Sequence, residues 1–166
     1  TVEDFAREGW AVAACDIKKS ELDTEVNRLK GEGLAVEAWE LDVTDFERGK
    51  KVVQEVVSKF GRLDVLFNDA GIVGHRGNIL NFDPVEIKKA SDVSVFGTLY
   101  MTQHVANHFV ANKIKGSIVN VASICAELPE WSPFGYHIAK WGLKGVTKSS
   151  AFQLGAYGIR VNAVAP

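Results

Sequence analysis

Tyr136 and Lys140 stand four residues apart in Tyr136-His137-Ile138-Ala139-Lys140. On a helix that spacing places them on one face, one turn from each other. An ammonium beside a phenol favours the phenolate, and a tyrosine held this way can act as a general acid or base. The spacing alone is common, and an ordinary helix with a half-buried tyrosine and an exposed lysine would show the same five residues. Ser123 comes shortly before them, just past the apolar run 116–122. The carboxyl end of a parallel strand is where open α/β sheets bind ligands, although a turn residue or helix cap also accounts for a serine there. Taken together, Ser123, Tyr136 and Lys140 form a donor set suited to polarising a carbonyl oxygen.

Further candidates lie at other strand ends. Asn68-Asp69-Ala70-Gly71 follows the run 63–67; Gly71 permits close backbone approach to a ligand, and a simple turn is the plain alternative. Asp16 and Ile17 end the run 10–15. An acidic residue at this place in dinucleotide folds accepts hydrogen bonds from the ribose hydroxyls and repels a 2′-phosphate; a surface turn also explains it. Asp42 and Val43 end the run 34–41. With Thr44 taken as the N-cap of the next helix, Asp42 is expected to be free for another role.

The elements that must position these residues alternate. Strands are expected at 10–16, 34–41, 63–68, 117–122 and 159–164. Helices are expected at 20–32, from a Thr44/Glu47 capping box to Phe60 with Gly61 as the stop, from Pro84 to Asn112, and over 134–157. Residues 1–7 are expected to belong to a further helix. Strand, helix, strand in repetition predicts right-handed crossovers and a parallel sheet covered on both faces, a doubly wound, Rossmann-like α/β fold.

The 166 residues suit a single domain, 1–166. At 46% hydrophobic, 24% charged and a net charge of -2, the chain has an ordinary globular balance. Its basic residues are scattered in pairs (Lys18-Lys19, Lys50-Lys51, Lys88-Lys89), which argues against nucleic-acid or membrane-surface partners. No apolar stretch reaches the length of a membrane span. Cys15 and Cys125 lie in apolar runs without a C-x-x-C pattern and are expected to be buried reduced thiols, as in a cytoplasmic protein. His104 and His108 are four apart, but no third ligand of matching spacing is visible, so no metal site is expected.

In order and spacing, Asp16, Asp42-Val43, Asn68-Asp69-Ala70-Gly71, Ser123, Tyr136-His137-Ile138-Ala139-Lys140 and the segment 159–166 resemble the short-chain dehydrogenase/reductase family across essentially the whole chain. The resemblance implies that Ser123 and Tyr136 contact the substrate oxygen and that Tyr136 moves the proton. It also implies that Lys140 binds the nicotinamide ribose. Asp42 and Val43 would hold the adenine, Asn68, Ala70 and Gly71 would line the cofactor, and Asp16 would select NAD over NADP. A homodimer or homotetramer is implied in the same way, with a small alcohol or ketone as substrate.

Three departures from the family stand out. The glycine-rich fingerprint G-x-x-x-G-x-G is absent, and with it the strand expected in the centre of the sheet. The 166 residues therefore read as a fragment, expected to be inactive when isolated. Ser94, in Asp92-Val93-Ser94-Val95-Phe96-Gly97, stands where the family usually has an Asn that supports a water-linked proton relay; slower turnover is expected. Asp69 replaces the second Asn of N-N-A-G, an Asn that braces strands, so stability rather than chemistry is expected to change. The apolar segment with Ile124, Cys125, Leu128, Trp131 and Phe134 fits a hydrophobic substrate or plain packing under a loop. His75 and Arg76 could face substrate or solvent. The alternative to an enzyme is a non-catalytic dinucleotide-binding or oligomerisation module.

Overall fold

The computed structural model describes residues 1–74, 77–128 and 133–166; His75, Arg76 and Trp131 lie outside them. The chain divides into two compact units, Thr1–Arg62 and Leu63–Pro166.

The first unit carries α1 (Val2–Arg7), β1 (Val12–Asp16), α2 (Lys19–Gly31), β2 (Val36–Glu40) and α3 (Phe46–Phe60). β1 and β2 pair in parallel, from Val12 opposite Val36 to Asp16 opposite Glu40. Parallel neighbours require a crossover, and α2 supplies it. Val26 and Leu29 on α2, Ala6 on α1, Ala14 on β1 and Val36 on β2 form one buried cluster. Burial of this apolar surface outweighs the ion pairs that Arg28 makes with Glu3, Glu25 and Glu32, because exposed pairs contribute little.

Three expectations fail in this unit. Asp45, not Thr44, caps α3: its side chain accepts the backbone N–H of Arg48. Thr44 is instead turned back onto Asp42, whose Oδ1 accepts the Thr44 backbone N–H at 2.9 Å and its hydroxyl at 2.7 Å. Asp42 is therefore not free. An Asp three residues before the N–H it accepts is as good a cap as Thr, and Asp42 offered Thr44 a partner that the capping-box pattern did not anticipate. Gly61 ends α3 in the left-handed conformation as expected, at φ 75°. Cys15, expected to be buried, is free but exposed, whereas Cys125 is free and buried; among the described residues β1 pairs with β2 alone, and its last two side chains are uncovered.

The second unit carries β3 (Val65–Asn68), α4 (Pro84–Ser91), α5 (Thr98–Ala111), β4 (Ser117–Val121), α6 (Phe134–Leu154) and β5 (Arg160–Val164). The strands pair in parallel in the order β3-β4-β5. Phe109, Ile118, Leu143 and Ile159 are its largest fully buried apolar side chains. The single helix expected over 84–112 is broken by a π-helical stretch, Asp92–Gly97. A π turn adds a residue per turn and re-aims the side chains within it, which apolar periodicity does not reveal; here it turns Ser94 inward. The described strands are parallel and the class is α/β, as expected, with β1 and β3 each keeping one unpaired edge.

Candidate active site

Of the expected residues, Asp16, Ile17, Asp42 and Val43 fall in the first unit, at the carboxyl ends of β1 and β2. The Leu41 backbone N–H donates to the Asp16 carbonyl at 3.0 Å, which ties the two strand ends together. Asp16 Oδ1 accepts the Lys18 backbone N–H at 2.8 Å, so its carboxylate is fixed by the turn, while Ile17 is exposed. The ammoniums of Lys18 and Lys19 are paired with Glu21 and Asp23.

The other residues fall in the second unit, where Gly71, Ser123, Tyr136 and Lys140, with Asp69 and Val121 among others, line a cleft of about 250 Å³. β4 delivers Ser123, which caps the short 3-10 turn Ile124–Ala126 by accepting the Cys125 N–H at 3.3 Å. The cap reading and the site reading of Ser123 thus hold together: accepting that bond uses a lone pair and leaves the hydroxyl proton for another acceptor. α6 delivers Tyr136 and Lys140, with the Lys140 ammonium 5.4 Å from the centre of the Tyr136 ring. Lys140 is 4% exposed and donates to the Val121 carbonyl at 2.6 Å. Burial holds its ammonium below the ordinary lysine range, opposed chiefly by the charge of Asp69.

The π stretch brings Ser94 to the same place. A Cβ on Gly71 would lie 3.3 Å from Ser94 Oγ and 3.9 Å from Lys140 Nζ, so glycine leaves open the space these two groups border. Ser94 is 0% exposed, and its hydroxyl has no hydrogen-bond partner among the described residues. Asn68 directs its side chain away from that space, donating to Asn120 Oδ1 at 2.9 Å and Thr102 Oγ1 at 3.3 Å. The strand brace is therefore Asn68, whereas Asp69 lines the cleft. The acceptor carbonyl of Val121 and the Asn120 to Thr147 bond, at 2.9 Å, went unforeseen, because residue types say nothing about which backbone carbonyl or cross-strand amide a side chain will meet. Ile124, Leu128 and Phe134 are exposed, and Cys125 is buried.

The family described as enoyl-(acyl carrier protein) reductase matches residues 1–166. Short-chain dehydrogenase reductase 3b of Arabidopsis thaliana is 37% identical over 100% of this chain and 64% of its own length. The 3-oxoacyl-(acyl-carrier-protein) reductase FabG of Thermotoga maritima is 38% identical over 98% of this chain and 65% of its own. This chain thus spans a little under two thirds of both relatives. Among solved structures, a short chain dehydrogenase from Mycobacterium smegmatis superposes with a TM-score of 0.94 at 31% identity, covering 99% of this chain and 68% of that one. ElxO, solved with NADP bound, superposes with a TM-score of 0.90 at 29% identity, covering 98% and 65%. A match along its whole length, with relatives above 30% identity, places the chain in the short-chain dehydrogenase/reductase family.

Proposed function

We propose that the protein is an NAD-dependent oxidoreductase that interconverts a secondary alcohol and a ketone. The observation that carries this reading is the convergence of Ser123, Tyr136 and Lys140 on one cleft. The residues present fit a nicotinamide cofactor: Gly71 leaves room where a side chain would crowd Lys140, and the buried hydroxyl of Ser94 is left without a partner. When bound, the nicotinamide supplies or accepts the hydride. Tyr136 gives its proton to, or takes it from, the substrate oxygen, and Ser123 donates a hydrogen bond to that same oxygen. Lys140, whose ammonium lies beside the Tyr136 ring, binds the ribose hydroxyls. Ser94 offers its hydroxyl to a water that links to Lys140. Ala70 and Gly71 present backbone to the cofactor, as does Asn68, whose side chain is committed elsewhere.

NAD rather than NADP follows from Asp16, whose carboxylate would repel a 2′-phosphate, and from the pairing of Lys18 and Lys19 with acids. ElxO, with NADP bound, is the counterexample among the relatives. Asp42 would reach the adenine with Oδ2, since Oδ1 holds Thr44. Chain 1–166 is read as one dinucleotide-binding domain of a cytoplasmic enzyme, in keeping with two free cysteines. A homodimer or homotetramer belongs to the same reading, supported by exposed Phe96, Ile138, Trp141 and Phe152.

In the complete protein, Tyr136→Phe is expected to abolish hydride transfer with a panel of hydrophobic ketones while NADH still binds. Retained turnover would remove Tyr136 from its role, and tighter binding of NADPH than NADH would remove Asp16 from its own. A non-catalytic module is the second reading, favoured by Ser94 at the relay position. It expects no oxidoreductase activity, and Tyr136 substitutions that alter stability alone.

A further inference from the structure

Lys140 is the single basic side chain and Asp69 the single acidic one among the described residues lining the cleft. The lysine is buried, and among the described residues no ion pair holds it; its hydrogen bond runs to the neutral carbonyl of Val121. An ammonium withdrawn from water this far tends to shed its proton unless a negative charge stands near. The groups around it come from five elements. Tyr136 is on its own helix, Cys125 on the 3-10 turn, Ser94 on the π stretch, the Val121 carbonyl on β4, and Asp69 at the end of β3. Asp69 is the only carboxylate among them.

Asp69 is also available for this role. Asn68 braces β3 to β4 and to Thr102, which fixes the end of β3 without help from its neighbour. Asp69 is exposed, so its charge costs little to keep in water, and it lines the same cleft as Lys140.

We propose that Asp69 is the counter-charge of Lys140, a positioning residue that holds the buried ammonium in its protonated state beside Tyr136. A neutral lysine would no longer place a positive charge beside the Tyr136 ring. Burial alone pulls Lys140 down, and the Asp69 charge is the leading influence that pulls it back up. The consequence for turnover rests on the oxidoreductase reading above; the charge relationship itself does not.

The test uses the complete protein labelled with 15N-lysine, the Lys140 Nζ resonance being assigned by its loss in Lys140→Met. Its titration is followed in the parent, in Asp69→Asn and in Asp69→Glu. Removing the charge is expected to lower the Lys140 midpoint by about one pH unit, and Asp69→Glu to restore most of it. An unchanged midpoint in Asp69→Asn overturns the proposal. Asp69→Ser repeats the comparison if Asp69→Asn does not fold. Loss of the fold in both also overturns it, by making Asp69 a structural residue. The pH profile of kcat/KM is measured alongside: its alkaline limb is expected to move down with the resonance. Absence of turnover in the parent would defeat the oxidoreductase reading and leave the resonance shift to decide the counter-charge.

Discussion

Asn68 donates from Nδ2 to Asn120 Oδ1 at 2.9 Å, across the one pair of strands whose ends carry both the Asn68-Gly71 segment and Ser123. Asn120 is 0% exposed and passes the bond on, donating to Thr147 Oγ1 at 2.9 Å. Thr147 in turn donates to the Leu143 carbonyl at 2.8 Å, on the helix that presents Tyr136 and Lys140. The chain of amides and hydroxyls thus ties β3, β4 and α6 together beneath the cleft. Truncation by Asn120→Ala would leave the Asn68 amide short of an acceptor and create a cavity. A loss of about 3 kcal/mol is expected, read as a fall in the urea midpoint at unchanged slope. A loss under about 1 kcal/mol would show that water replaces the asparagine.

How much of this was legible in the sequence differs by residue. Tyr136 and Lys140 were, because a four-residue spacing on a helix is geometry. Ser123 and Gly71 were legible as strand-end residues, since a parallel sheet puts every strand's carboxyl end on one side. The inward turn of Ser94 was not: the π stretch shifts helical phase by one residue, and the apolar pattern around it reads as continuous helix. Nor was the division of labour between Asn68 and Asp69, which depends on a cross-strand register that pairs Asn68 with Asn120. The Thr44/Glu47 pattern led to the wrong cap, because Asp45 sits one residue nearer the N–H groups it must satisfy.

That cap gives a local comparison. Asp45→Ala is expected to cost about 1 kcal/mol, the usual worth of an N-cap. Thr44→Ala removes one hydroxyl bond to Asp42 and leaves the cap intact, so a smaller loss is expected. Thermal unfolding of both variants checks the order. Equal losses, or a larger one at Thr44, would return the cap to Thr44.

Gly71 and Ser94 are expected to be coupled. A Cβ at Gly71 would approach Ser94 Oγ to 3.3 Å, a contact tight enough that the neighbour must give by a few tenths of an ångström. Gly71→Ala is expected to weaken NADH binding about tenfold, because the added methyl narrows the space in front of Lys140 Nζ. In Gly71→Ala with Ser94→Ala, removing the hydroxyl is expected to recover part of that loss. A double-mutant cycle by NADH fluorescence measures the coupling; strictly additive effects would show that the two side chains act apart.

Burial of Lys140 has a sign that stability measurements can read. Its ammonium is held below the ordinary lysine value of about 10.4, whereas the unfolded chain keeps that ordinary value. Between the two, the unfolded state binds more protons than the folded one, so stability rises with pH across that window. Below it both states are charged, and the folded state bears the full desolvation cost. Other lysines and tyrosines also titrate at alkaline pH, so the quantity to measure is the stability of the parent minus that of Lys140→Met, by urea unfolding from pH 7 to about 10.4. That difference is expected to be flat at the lower end and to climb in favour of the parent at the upper end. In an Asp69→Asn background the climb is expected to begin at lower pH, because the charge that retains the proton has gone. A difference that stays level throughout would mean that Lys140 titrates as freely as a solvated lysine, and its burial would then carry no electrostatic cost.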